Sequence, residues 1–319
     1  DFSLSARQCI KSYFNSNPGS APYNPNNYVA QGVRGVRFFY ALGGYERSTP
    51  FDPSGGVRPD WIRNIRAFFT DLKSFGINSV APTAVLLGDW SGPLEEIPDQ
   101  QTCGTSRTLY YYKWVPFGLE RLTHSDGRVE YRPDCQGTND AYNTANPNPS
   151  FWGWSPLFNL VDQILAEAQS AGLVVSDLDL ENEVNLRDFT VVARLIYDNV
   201  HGVDVLGAIR QRMQNRGFDP SKVSFSVPAR HPWQADYDCT SFLGDSAMID
   251  HESQLLSALS SGQFGQEQST GWTNGLPCKQ ASATSAGMVA LPTWYSAPSI
   301  VDIHTHFCVD SPGGGCDAS

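Results

Sequence analysis

The segment Leu173-Val-Val-Ser-Asp-Leu-Asp-Leu-Glu-Asn-Glu-Val-Asn-Leu186 constrains this chain more than any other. It opens as an apolar strand and runs into four carboxylates. Alternate side chains of a strand point to opposite faces. Asp177, Asp179, Glu181 and Glu183 therefore share one face, while Leu178 and Leu180 fill the other. Leu173, Val174 and Val175 read as a buried strand, which sets the acidic face in the interior rather than on a solvated edge. Carboxylates enclosed together repel one another and lose hydration, so some of their pKa values rise. A soluble protein keeps such a cluster where a site does chemistry or holds a cation.

The flanking sequence alternates strand and helix. Residues 35–41 read as a strand, 60–75 as a helix with apolar positions three and four apart, and 77–81 as a second strand. Asp60 is placed to cap that helix and Gly76 to end it. Residues 88–150 break the rhythm with a Gly-, Pro- and Asn-rich excursion, and the third scaffold strand is expected within it. An aromatic strand at 108–114 and a hairpin turn at His124-Ser-Asp-Gly-Arg128 lie in the same excursion. A helix over 156–171, capped by Ser155 and stopped by Gly172, leads into the acidic strand. Helical spacing resumes over 188–216, with a break at Gly202, and again over 241–261. Further strands are read at 222–228, 288–292 and 299–307. Repeated β/α units imply a doubly wound sheet or a (β/α)₈ TIM barrel. No Gly-x-Gly-x-x-Gly or Walker loop supports the nucleotide-binding alternative. The expectation is an irregular arm over 1–32 followed by a (β/α)₈ barrel domain over 33–319.

In a barrel the functional groups sit at the C-terminal ends of the strands. Polar residues fall there: Tyr40 on the first strand, Glu181 to Glu183 on the acidic one, Arg230 and His231 after 222–228, and His304 and His306 on the last. Six of the 8 Trp (Trp90, Trp114, Trp152, Trp154, Trp233 and Trp294) lie in loop-like segments, where aromatic faces can hold sugar rings or cap the core. The net charge of −11 argues against nucleic acid, and no apolar run is long enough to span a bilayer. The seven cysteines are scattered through loop-like segments without Cys-x-x-Cys pairs, which reads as disulfides in an oxidising compartment. A start at Asp1 suits a secreted protein whose leader has been removed.

Asn182-Glu183-Val-Asn-Leu186 after a buried strand resembles the Asn-Glu-Pro-Asn motif of the clan A retaining glycoside hydrolases, with Val184 in place of the usual Pro. The resemblance implies a (β/α)₈ barrel with this strand as the fourth. It implies Glu183 as general acid/base and Asn182 close to the reacting sugar. Val301-Asp-Ile-His-Thr-His306 resembles the sixth strand of that clan, which often ends in a His beside the substrate. Asp179, Glu181, His231, His304 and His306 would then line the site, with Tyr40, Arg37 and Trp233 beside them. The implied substrate is a poly- or oligosaccharide cleaved at its O-glycosidic bonds. A monomer without cofactor or metal is expected. The clan's nucleophile, a Glu at the end of strand seven, has no counterpart, because no Glu follows Glu267.

Three other readings compete. Asp177-Leu-Asp-Leu-Glu181 resembles the Asp-x-Asp-x-Glu core of chitinase-like hydrolases, in which the Glu is the acid and the substrate's acetamido group is the nucleophile. Asp302-x-His304-x-His306 has a metal-ligand spacing and resembles the opening strand of amidohydrolases. A barrel that binds carbohydrate without turnover is the third.

Overall fold

The computed structural model describes residues 7, 11, 13–14, 27–41, 50–85, 95–99, 107–111, 119–123, 129–133, 151–182, 184, 189–227, 246–264, 267–273, 276–281 and 289–302. Strand β1 (Gly35–Ala41) leads through helix α1 (Pro59–Phe75) to β2 (Ser79–Val85). Four strands follow among the described residues: β3 (Glu95–Asp99), β4 (Arg107–Tyr111), β5 (Leu119–Thr123) and β6 (Val129–Pro133). Helix α2 (Ser155–Ser170) precedes β7 (Val174–Val175) and β8 (Leu178–Asp179), the two pieces of the acidic strand. Next come α3 (Phe189–Ile196), a short hairpin of β9 (Tyr197–Asp198) and β10 (Val203–Asp204), α4 (Val205–Asn215) and β11 (Val223–Val227). Helix α5 (Ser246–Ser261) is followed by β12 (Gln263–Phe264), β13 (Glu267–Thr273), β14 (Leu276–Ala281), β15 (Val289–Ala290) and β16 (Ser299–Asp302).

Helix α1 forms where its periodicity predicts it. Ile65, Phe68, Phe69, Leu72 and Phe75 recur at three- and four-residue spacing and are buried. Phe38 of β1 packs edge-on against Phe68 and Phe69, at 5.8 and 5.5 Å. Each such side chain contributes about 1.5–3 kcal/mol by leaving water. The helix ends at Gly76, whose φ of 95° is open to a residue without Cβ. Its start differs from expectation. Arg58 is the N-cap and Pro59 opens the first turn, while Asp60 turns back to pair with Arg58. Ser155 likewise is the first residue of α2 rather than its cap, a place held by Trp154.

The main sheet runs β1-β2-β8-β11-β16, with β7 also on β2, and every pairing in it is parallel. The acidic strand therefore lies third across the sheet, directly beside β2, and not fourth as the resemblance implied. Among the described residues no strand of the excursion joins this sheet, where the sequence predicts a third scaffold strand. Strands β3 to β6 pair with one another in a separate four-stranded antiparallel sheet. The pairing of β5 with β6, with Thr123 opposite Val129, is the one the Asp-Gly hairpin signal in the sequence predicts, while residues 124–128 themselves lie outside the described residues. The strands read at 222–228 and 299–307 become the fourth and fifth positions, and that at 288–292 pairs with β12 instead. The protein is thus a mixed α/β structure built on a mostly parallel sheet. Among the described residues β1 and β16 form its two edges.

Strands in sequential order joined by right-handed crossovers place their helices on one face. Consistently, α1 touches α2, α2 touches α4, and α4 touches α3, as a single layer. The sheet face beneath them carries Phe38, Val80, Leu178, Val223 and Phe225, all buried. From the arm, Arg7 pairs with Asp71 of α1 at 2.8 Å.

Candidate active site at the end of the acidic strand

The register decides what meets on the other face. Phe39 lies level with Thr83, Thr83 with Asp179, and Asp179 with Ser224. Paired residues of a sheet share a face. This face is therefore polar: Arg37, Thr83, Asp177, Asp179, Ser224 and Ser226, with Phe39 as its exposed aromatic at 48%. The repeat Val223-Ser-Phe-Ser-Val227 produces the serines by strand alternation, with Phe225 turned to the core.

Arg37 ties four strand positions together. Its Nε donates to Thr83 Oγ1 at 2.8 Å. Its Nη2 reaches Asn182 Oδ1 at 2.8 Å, Ser226 Oγ at 3.1 Å and Asp179 Oδ2 at 3.2 Å. The guanidinium also lies 4.8 Å from the Phe39 ring centroid. Asp179 is fully buried, and its Oδ1 accepts the backbone N–H groups of Ser226 (3.0 Å) and Glu181 (3.1 Å). Even so, burial pushes its carboxyl up to about 7, against the hydrogen bonds and the Arg37 charge, and neighbouring Asp177 adds to the rise. Burial also raises Asp177, which accepts the Ser224 hydroxyl at 2.8 Å.

Glu181 is fully buried and follows at the strand's C-terminal end. The turn that carries it is anchored on both sides, with Leu180 N–H on Ser224 O and Asn182 N–H on Ala84 O, each at 2.9 Å. Tyr40 closes the end of β1. Its hydroxyl is buried without a hydrogen-bond partner among the described residues. Burial, then the charges of Asp179 and Glu181, raise the phenol's pKa, so it remains a neutral donor.

Of the expected site residues, Arg37, Tyr40, Asp179, Glu181 and Asn182 thus surround one strand end. Glu183, His231, Trp233, His304 and His306 lie outside the described residues, as do the side chains of all seven cysteines. Sequence reasoning missed Thr83, Ser224 and Ser226, although the Ser-Phe-Ser alternation marks a polar strand face. The loop tryptophans divide. Trp154 is buried with its Nε1 on Asp198 Oδ2 at 2.8 Å and belongs to the core, whereas Trp294 is open.

Among the described residues no cluster of His, Cys, Asp and Glu is arranged to hold a metal ion, and no helix is long and apolar enough to cross a membrane. The Asp302, His304 and His306 ligand set lies largely beyond those residues. A scan against protein-family models gives no match, and neither the curated proteins nor the solved structures contain a significant relative of this chain.

Proposed function

We propose that this protein is a glycoside hydrolase that cleaves O-glycosidic bonds of a poly- or oligosaccharide, with a glutamate at the end of the acidic strand as its acid. The observation that carries this reading is the burial of Asp179 and Glu181 against Arg37 and Asn182 at the C-terminal end of a central parallel strand. Strand C-termini are where α/β enzymes place their chemistry. A carboxyl pushed up to about 7 is one whose environment favours carrying a proton at neutral pH. Glycosidic cleavage needs such an environment, since a carboxylic acid must protonate the leaving oxygen.

The proposal includes a (β/α)₈-type barrel. Sequential strand order, a single helix layer and a polar opposite face support it. A doubly wound sheet would reverse its order and bury apolar residues on both faces. The polar face would be the lumen, and the exposed Phe39 would offer a ring for the sugar to lie against. Secretion with disulfides and a monomeric state belong to the same proposal.

Two glutamates are candidates for the acid. The Asn-Glu-Val-Asn resemblance points to Glu183, with the strand's third position counting against it. The Asp-x-Asp-x-Glu resemblance points to Glu181. It gains from the hydrogen bond between Asp179 Oδ1 and the Glu181 N–H, which ties that motif into one unit. The test is hydrolysis of β-1,4-glucose oligomers and of N-acetylglucosamine oligomers by wild type, Glu181→Gln and Glu183→Gln. Loss of the acid lowers turnover by about 10²–10⁴-fold in one variant. A fall in Glu183→Gln selects the two-carboxylate mechanism. A fall in Glu181→Gln, on acetamido sugars alone, selects substrate assistance. Absence of turnover on both oligomer types, or wild-type rates in both variants, overturns the proposal.

A further inference from the structure

A second concave site lies away from the carboxylates. The segment before β16 crosses α4 and leaves a cleft of about 210 Å³ lined by Tyr197, Asp204, Arg210, Pro292, Trp294 and Tyr295. None of these residues belongs to the carboxylate cluster. The cleft is held open by bonds that need no ligand. Arg210 donates from Nη1 to Ser296 O at 3.2 Å and from Nη2 to Ala297 O at 3.3 Å, fastening the segment to the helix. Asp204 Oδ1 accepts the Gly207 N–H at 2.9 Å and so fixes the start of α4 beside it.

Two features of the lining are unexplained by the fold. Trp294 is 61% exposed, an uncommon place for an indole. Its orientation is nevertheless set by Tyr197, which it meets edge-on at 5.9 Å and 80°. The Tyr295 hydroxyl is buried with no hydrogen-bond partner among the described residues. That hydroxyl is enclosed by the protein, so the indole and the two charged side chains are what the cleft presents to a ligand.

We infer that this cleft binds one neutral, hydroxyl-rich ring, a single sugar residue of a saccharide. The indole offers a flat apolar face to the C–H face of such a ring. The Asp204 carboxylate and the Arg210 guanidinium supply acceptors and donors for its hydroxyls. With one acidic and one basic side chain in the lining, the cleft favours neither an anion nor a cation. Its volume falls below the roughly 300–1,000 Å³ of clefts that hold drug-sized ligands, so it has room for one ring and not for a chain. Binding here stands whether or not the carboxylate site hydrolyses anything.

The probes are methyl β-glucoside and methyl N-acetyl-β-glucosaminide, titrated into the full chain. Tryptophan fluorescence and saturation-transfer NMR report binding. The expected result is saturable binding of at least one glycoside, weakened roughly tenfold or more by Trp294→Ala and severalfold by Trp294→Leu. Trp294→Leu keeps an apolar side chain without the flat ring and decides the matter should Trp294→Ala fail to fold. No saturable binding of either glycoside overturns the inference. Wild-type affinity in a folded Trp294→Ala, or in Trp294→Leu where that variant decides, overturns it equally. Loss of hydrolysis in the Glu181→Gln or Glu183→Gln proteins leaves this result untouched, so the two proposals fail separately.

Discussion

Asp179 and Asp198 are both fully buried, yet their surroundings treat their charge in opposite ways. Asp198 lies among groups that exist to hold it ionised. Arg194 donates to Oδ1 at 2.5 Å, Trp154 Nε1 and His201 Nδ1 lie 2.8 and 2.6 Å from Oδ2, and the Val200 N–H adds a bond at 3.2 Å. Burial works to raise its pKa, but Arg194, Trp154 and His201 together hold it below the usual carboxylate range. Asp179 has two backbone N–H groups, the Ser226 side chain and one arginine, at 3.2 Å, whose same nitrogen also serves Asn182 and Ser226. Its acidic neighbour adds repulsion, and its carboxyl rises to about 7. A buried carboxylate is therefore no sign of function in itself. The sign is a buried carboxylate left short of compensation.

The largest expected effect breaks the well-compensated side. Arg194→Met leaves Asp198 buried beside an apolar chain and is expected to cost about 3–5 kcal/mol of stability. Urea unfolding at pH 7 measures it. Arg37→Met makes the matching cut at the other site. Asp179 can take up a proton when its arginine is lost, so the cost at pH 6 is expected to be clearly smaller than that of Arg194→Met. A cost for Arg37→Met at pH 6 equal to that of Arg194→Met would remove the distinction between the two sites.

The next effect separates the two aspartates by pH. The folded pKa of Asp179, about 7, lies above the ordinary aspartate value of 3.8, so between the two the folded state holds a proton that the unfolded state has released. Its contribution to stability is full below pH 3.8 and is lost as the pH rises through about 7. Asp198 has the opposite sign, and its contribution is lost only as the pH falls below the usual aspartate range. Asp179→Asn should therefore flatten the decline in stability between pH 4 and 7 by up to a few kcal/mol relative to wild type. Unfolding free energies at pH 4, 5.5, 7 and 8 give the slope. An unchanged slope in Asp179→Asn means that Asp179 is ionised throughout.

The comparison also marks what can be read from the amino acids alone. Leu178, Asp179, Leu180 and Glu181 show in their alternation that carboxylates line one face of a buried strand, and the structure buries them. The i, i+4 spacing of Arg194 and Asp198 is equally visible, although Asp198 lies in β9, just past the end of α3. Trp154, 44 residues away, completes that site, and no local pattern announces it. The same limit explains the misplaced strand. The Asp-Gly signal in the sequence predicts that β5 pairs with β6, but nothing local tells that β3 to β6 pair with one another and that β2 meets the acidic strand directly. Local periodicity reports which face is buried. It does not report which distant element covers that face.

The smallest effect serves as the control for both sites. Asp162 and Arg216 form a two-bond pair at 3.0 and 2.5 Å, with each side chain about one third exposed. Water already solvates both groups, so their attraction gains little over hydration and is screened by salt. Asp162→Asn is expected to cost less than about 1 kcal/mol at pH 7, and less still in 1 M salt. The Nη2–carboxylate distance of 2.5 Å is the same as between Arg194 and Asp198, while the burial of the two pairs differs sharply. If urea unfolding gave Asp162→Asn a cost close to that of Arg194→Met, the contrast drawn from Asp198 would rest on geometry. A small cost, shrinking with salt, leaves burial as the variable that turns the same pair of charges into a structural necessity.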